Sequence, residues 1–80
     1  MFVKDAIVKR VLQICEERKI KPNELANISA LTASTVYSLL DNRRRDVSII
    51  TIKKICDGLE MSLSEFFTAP VFEELEQEIR

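Results

Sequence analysis

Eighty residues, 46% hydrophobic and 31% charged with one Gly and two Pro, describe a single small folded domain and exclude a disordered or collagen-like chain. One glycine, Gly58, cannot build a phosphate-cradling loop or a dinucleotide fingerprint, and a chain without His lacks the usual general base and the commonest zinc ligand, so no enzyme, cofactor or metal site is expected. The net charge of −1 hides a division: Met1 to Lys54 holds 11 basic and 6 acidic side chains, Ile55 to Arg80 holds 1 and 7, and since charge is screened over about 8 Å a basic face toward nucleic acid is permitted.

Val3, Ile7, Val11 and Ile14, with Leu12 and Cys15 beside them, recur at three-and-four spacing, so an amphipathic helix is expected from about Val3 to Lys19. Lys21-Pro22-Asn23 restarts the chain, because Pro in a first turn loses no hydrogen bond and Glu24 suits the positive helix end; a short helix is expected next, over about Pro22 to Ser29. Thr32 is a good N-cap for a third helix with Val36, Leu39 and Leu40 on one side, ending near Asp41. Asn42 is expected to close it in the left-handed conformation, with Arg43 to Arg45 as an exposed loop. Ile49, Ile52, Ile55, Cys56 and Leu59 define a fourth helix, stopped by Gly58 and the Glu60-Met61 turn. Ser62-Leu63-Ser64-Glu65 has the capping-box form that opens a fifth, with Phe66 and Phe67.

No stretch alternates with period two for long enough to make a sheet, so an all-α domain over residues 1–69 is expected. Residues 70–80 form an acidic extension in which Val71, Phe72, Leu75 and Ile79 are spaced as one helical face. A helix of about ten residues is not stable alone in water, so this stripe needs its own domain or a second copy to pack on.

Cys15 and Cys56 are 41 positions apart, without Cys-x-x-Cys spacing. A disulfide between them is arithmetically open, but both sit in apolar helical stripes of a chain with no signal-peptide pattern, which favours two buried thiols in a reducing compartment. No apolar run approaches the roughly 18 residues of a membrane span, so a cytoplasmic protein with no membrane partner is expected.

The second and third helices are joined by a tight turn. Such a pair crosses steeply and leaves the outer face of its second helix free to enter a major groove about 12 Å wide. Leu25, Ala26, Ile28, Leu31, Val36 and Leu39 are expected to fill the wedge, with Ala26 small enough for close crossing.

On these residues the chain resembles the helix-turn-helix of the Cro and lambda-repressor-like family of bacterial and phage regulators, the xenobiotic-response-element type, over about Ile7 to Phe67. Its carriers are Glu24-Leu25-Ala26, Ser34-Thr35-Val36, Thr51 to Leu59, and Ser62-Leu63-Ser64-Glu65-Phe66-Phe67, in the family's order and near its spacing. The resemblance implies a five-helix lambda-repressor-like fold and sequence-specific binding of double-stranded DNA. It also implies a transcriptional regulator, a repressor, acting as a homodimer without catalysis or a small-molecule ligand. Three features depart from the family. Ala30 stands where Gly is usual in the turn, a cost of roughly 1 kcal/mol if the backbone stays left-handed. Cys15 and Leu40 replace an Arg–Glu pair, an exchange that packed apolar groups tolerate. The loop after the third helix is one residue longer, with Asn42 where Gly is common.

The resemblance places Ala33, Ser34, Thr35, Tyr37 and Ser38 toward the groove, with Thr32 at the DNA-facing start of that helix, Asn23 at a phosphate, and Asn42, Arg43, Arg44 and Arg45 along the sugar-phosphate backbone. Lys9-Arg10 and Lys53-Lys54 add two flanking basic clusters. No groove-facing side chain has the fork by which Arg reads guanine or Asn and Gln read adenine, so methyl contacts and single hydrogen bonds are expected. A protein-interaction module on the same fold, an antitoxin or phage-type adaptor, is the alternative, and salt-sensitive duplex binding separates the two.

Overall fold

Helices form where the apolar stripes place them: α1 Val3–Arg18, α2 Pro22–Ile28, α3 Ala33–Leu40, α4 Ile49–Gly58 and α5 Leu63–Phe67, with a 3-10 turn at Pro70–Phe72. The structure is a computed structural model that describes residues 1–79, and there is no strand among them. Arg80, the end of the expected extension, lies outside the described residues.

The start signals act as their chemistry requires. Thr32 Oγ1 accepts from the Thr35 amide at 3.1 Å and Ser48 Oγ from the Ile50 amide at 3.1 Å. At α5 the full reciprocal box forms: Glu65 N–H donates to Ser62 Oγ at 3.0 Å and Ser62 N–H to Glu65 Oε1 at 3.1 Å.

Three helix ends share one closing motif, and none uses glycine. Lys19, Ala30 and Glu60 are left-handed, with φ of 56°, 55° and 56°. The next amides along the chain, Ile20, Leu31 and Met61, bond back to the carbonyls of Cys15, Ala26 and Cys56 at 3.0, 2.9 and 2.9 Å. Ala30 is thus left-handed in spite of its Cβ.

Asn42, by contrast, is not left-handed, against expectation. Asp41 leaves α3 in an extended conformation (φ −74°, ψ 113°). Lys4 Nζ donates to the Asp41 carbonyl at 3.1 Å, so a side chain from α1 does what a left-handed residue would otherwise do.

The core gathers Ile7, Val11 and Ile14 of α1, Leu25 and Ala26 of α2, Val36 and Leu39 of α3, Ile52, Ile55 and Cys56 of α4, Leu59, and Phe66 of α5. Cys15 and Cys56 are buried free thiols, each pushed above the ordinary thiol range by burial. Three stripe positions differ from expectation: Leu12 is 48% exposed, Ile28 49% and Ile49 55%. Ile28 and Ile49 lie at helix ends, where the stripe turns out of the core, and Leu12 lies in the middle of α1 on its outer side.

Helix α1 also caps three other helices with cations. Besides Lys4 on the end of α3, Arg18 Nη1 donates to the Leu59 carbonyl after α4 at 2.6 Å. Arg10 donates to the Phe66 and Glu65 carbonyls of α5 at 2.8 and 2.9 Å, with its guanidinium 5.8 Å from the Phe66 ring centroid. Cations at the negative ends of helices complement the helix dipole and satisfy orphan carbonyls. Arg10 is therefore an internal brace, and Lys53 is paired with Asp57 one turn along α4. The two flanking clusters read from sequence are partly structural.

The acidic extension is not a helix beyond Phe72 in the described residues. Phe72 lies 5.0 Å from Phe67 and 6.1 Å from Phe66 between ring centroids, and that capture overrides the helical spacing. The chain then crosses the start of α1 as a strap: Glu76 N–H donates to the Met1 carbonyl at 3.0 Å and the Glu78 carboxylate accepts from the Val3 amide at 3.1 Å. Leu75 and Ile79 remain 36% and 84% exposed.

Candidate nucleic-acid interface

Helix α3 is held from behind. Val36 and Leu39 are buried, α2 packs on both α3 and α4, and Leu25 and Ala26 are buried in the wedge with Leu31 half-buried at its edge. Its outer side carries Ala33, Ser34 and Tyr37, all exposed, with Tyr37 at 52%. Thr32 is exposed, and Thr35 and Ser38 are half-buried. Thr32 Oγ1 lies 2.8 Å from Thr35 Oγ1 and 3.2 Å from Ser34 Oγ, so the start of α3 presents three linked hydroxyls able to redirect their protons. Asn23 is exposed in the first turn of α2.

Thr35 and Ser38 turn inward and line a cleft of about 170 Å³ between α3 and the start of α4, with Arg44, Asp46, Ser48 and Thr51. Neither Ser48 nor Thr51 was expected at the interface from sequence, although Thr51 opens one of the motifs that carry the resemblance. Ser48 carried a usable signal, a hydroxyl just ahead of an apolar-periodic run.

The three consecutive arginines are not equivalent. Arg43 forks onto Asp41, Nε to Oδ1 at 3.1 Å and Nη2 to Oδ2 at 3.0 Å. Arg45 forks onto Asp5, Nη1 to Oδ1 at 3.2 Å and Nη2 to Oδ2 at 3.1 Å, and also donates to the Asn42 carbonyl at 2.7 Å. Arg44 makes no ion pair among the described residues and faces the cleft. Asn42 is exposed and enters through its backbone carbonyl.

The Arg43 guanidinium beside Asp41 holds that carboxyl at about 2, and Arg45 likewise lowers Asp5. A carboxyl depressed in the folded state contributes stability above its unfolded value and loses it as pH falls through the folded one. Carbon-detected titration is therefore expected to place Asp41 near 2, and Arg43→Ala to return it toward the ordinary aspartate range. A midpoint at about 4 in the unmodified chain would show that the pair is not formed in solution.

Buried Lys4 sits directly behind this loop, its ammonium lowered first by desolvation and then by Arg45. Among the described residues, no group of three or more His, Cys, Asp or Glu side chains could hold a metal ion, and no helix is long and apolar enough to cross a membrane.

Comparison with known proteins matches this geometry. The crystal structure of prophage Lp1 protein 11 is similar with a TM-score of 0.78 and 25% identity, over 90% of this chain and 95% of that one. No curated protein sequence matches. The family model of the Cro/C1-type HTH DNA-binding domain matches residues 10–70, and this all-helical chain belongs to that family.

Proposed function

We propose that this protein is a transcriptional repressor that binds an operator in double-stranded DNA with α3 in the major groove. The observation that carries the reading is the outer face of α3, exposed and hydroxyl-bearing, next to a cleft toward which Arg44 projects without a carboxylate partner among the described residues. Ala33, Ser34, Thr35, Tyr37 and Ser38 supply methyl contacts and single hydrogen bonds to base edges, with Thr32 and Asn23 at the flanking phosphates. Helix α3 carries no charged side chain, so affinity must come from its flanks, and Arg44 is the loop's phosphate contact.

One short recognition helix spans few base pairs. A homodimer doubles the site and is the expected working form. Selection of bound duplexes from a random pool tests the reading: a palindromic enriched sequence supports it. Salt-insensitive or absent duplex binding would replace it with a protein-interaction module on the same fold.

Arg44→Ala is expected to weaken binding to all duplexes alike and to flatten the salt slope by roughly 0.9, the value of one lost phosphate contact. Titrations at several salt concentrations measure this, and an unchanged slope would take Arg44 out of the interface.

A further inference from the structure

A loop whose three arginines all faced DNA would need no acidic residues beside it, yet two carboxylates occupy two of them. The pair on Arg45 is the more informative because it is assembled from three distant parts of the chain. Asp5, in the first turn of α1, takes both Nη atoms end-on. Asp5 is itself fixed by the Phe2 amide on Oδ2 at 3.2 Å. Behind it the strap brings Glu78 onto the Val3 amide, and the Glu78 charge acts on Arg45 as well.

We infer that Asp5, reinforced by Glu78, is an internal counter-ion that withholds Arg45 from phosphate and thereby limits the affinity of the loop for DNA. The inference rests on the DNA-binding reading above. A phosphate approaching Arg45 meets a bidentate carboxylate partner that is always present at high local concentration, and it meets the repulsion of the strap. Arg44, one residue away, has no carboxylate forked onto it among the described residues, although Asp46 lines the same cleft. The Arg45 and Asp5 side chains are 48% and 31% exposed, so the pair is wet and one substitution releases it without opening the core.

This reading has a sign that a simple brace lacks. If Asp5 only held the loop in shape, removing its charge would weaken DNA binding. As a counter-ion, its removal frees a cation for phosphate. Asn at position 5 keeps a side-chain oxygen for the Phe2 amide, so the start of α1 is preserved.

The experiment measures binding of the full chain to a random-sequence duplex between about 50 and 200 mM salt, with thermal melting of each variant in the same buffers. Asp5→Asn is expected to bind several-fold tighter than the unmodified chain at about 50 mM. Its salt slope should be steeper by roughly 0.9, so that the gain shrinks by about threefold at about 200 mM. Asp5→Asn/Glu78→Gln should gain further, and Asp5→Asn/Arg45→Ala should lose the gain, since the freed cation is then gone. Weaker binding by Asp5→Asn, or an unchanged slope, would overturn the inference and leave the DNA-binding reading intact. Absence of binding by the unmodified chain and every variant would overturn both.

Discussion

Phe66→Ala is expected to cost about 3–5 kcal/mol and to leave the chain partly unfolded at ordinary temperature. Phe66 is fully buried. Its ring lies 5.0 Å from Phe67 in an edge-to-face arrangement, meets Phe72 of the strap, and stacks under the Arg10 guanidinium. Truncation opens a cavity where α1, α5 and the 3-10 turn of Phe72 meet. Domains are stable by about 0.05–0.15 kcal/mol per residue, so an 80-residue chain has roughly 4–12 kcal/mol in total. The loss is therefore a large share, corresponding to a fall in melting temperature of more than about 12 °C. The chain has no Trp, so the helical circular dichroism signal is the measurement. A shift of a few degrees would show that the aromatic cluster is much less tightly packed than its geometry indicates.

Gly58→Ala is the second large effect, and here two principles oppose each other. In an exposed helix the change would stabilise by about 1 kcal/mol through helix propensity. At this position a Cβ would stand 2.5 Å from the Ile28 carbonyl oxygen and 2.8 Å from both its carbon and Ser29 Oγ. The nearest obstacle is backbone, so the end of α2 or the whole of α4 must shift. Overpacking of this kind costs about 1–3 kcal/mol, and rigid backbone puts the case at the upper end, for a net loss of about 2 kcal/mol. Urea denaturation reads it as a lower midpoint at unchanged slope. Adding Ser29→Ala, which removes a buried hydroxyl that has no hydrogen-bond partner among the described residues, is expected not to restore stability, because the Ile28 carbonyl remains. A stabilised Gly58→Ala variant would mean that α2 and α4 are further apart than described.

The same glycine shows where sequence reading stopped. Gly58 was legible as a helix stop, and α4 does end there, but its closer role is to admit Ile28 of another helix, a contact that no local pattern encodes. All five helices were legible, α1, α3 and α4 from their apolar stripes, α2 from Pro22 and Glu24 in its first turn, and α5 from the Ser62–Glu65 capping box. Lys19 and Glu60 as left-handed caps were not, since neither residue type favours that conformation and only the packing of the next segment, Ile20 after α1 and Met61 after α4, imposes it. The extension misled for the converse reason: Val71, Phe72, Leu75 and Ile79 do have helical spacing, but Phe72 is claimed by the aromatic cluster of α5. At the candidate interface, the outer positions of α3 came from the family resemblance, and of these Ala33, Ser34 and Tyr37 are exposed while Thr35 and Ser38 are half-buried. The unequal fates of Arg43, Arg44 and Arg45 were not, because the carboxylate that separates Arg45 from Arg44 is 40 residues away.

The three cations of α1 tie the first helix of the domain to acceptors that come much later in the chain, 37 positions on for Lys4, 41 for Arg18 and 56 for Arg10. Synthesis runs at about 5–20 residues per second, so Arg10 waits roughly 3 to 11 s for the carbonyl that it will cap. During that interval α1 gains Leu25, Val36 and Ile52 as core neighbours and the acceptors of Lys4 and Arg18 one after another, but Phe66 and the α5 carbonyls come last, and a 16-residue helix alone in water is marginal. The nascent chain therefore has little to gain from ordering its beginning early. The polar ties of α1 are complete only once α5 has arrived, so the helices of this domain are expected to lock together late.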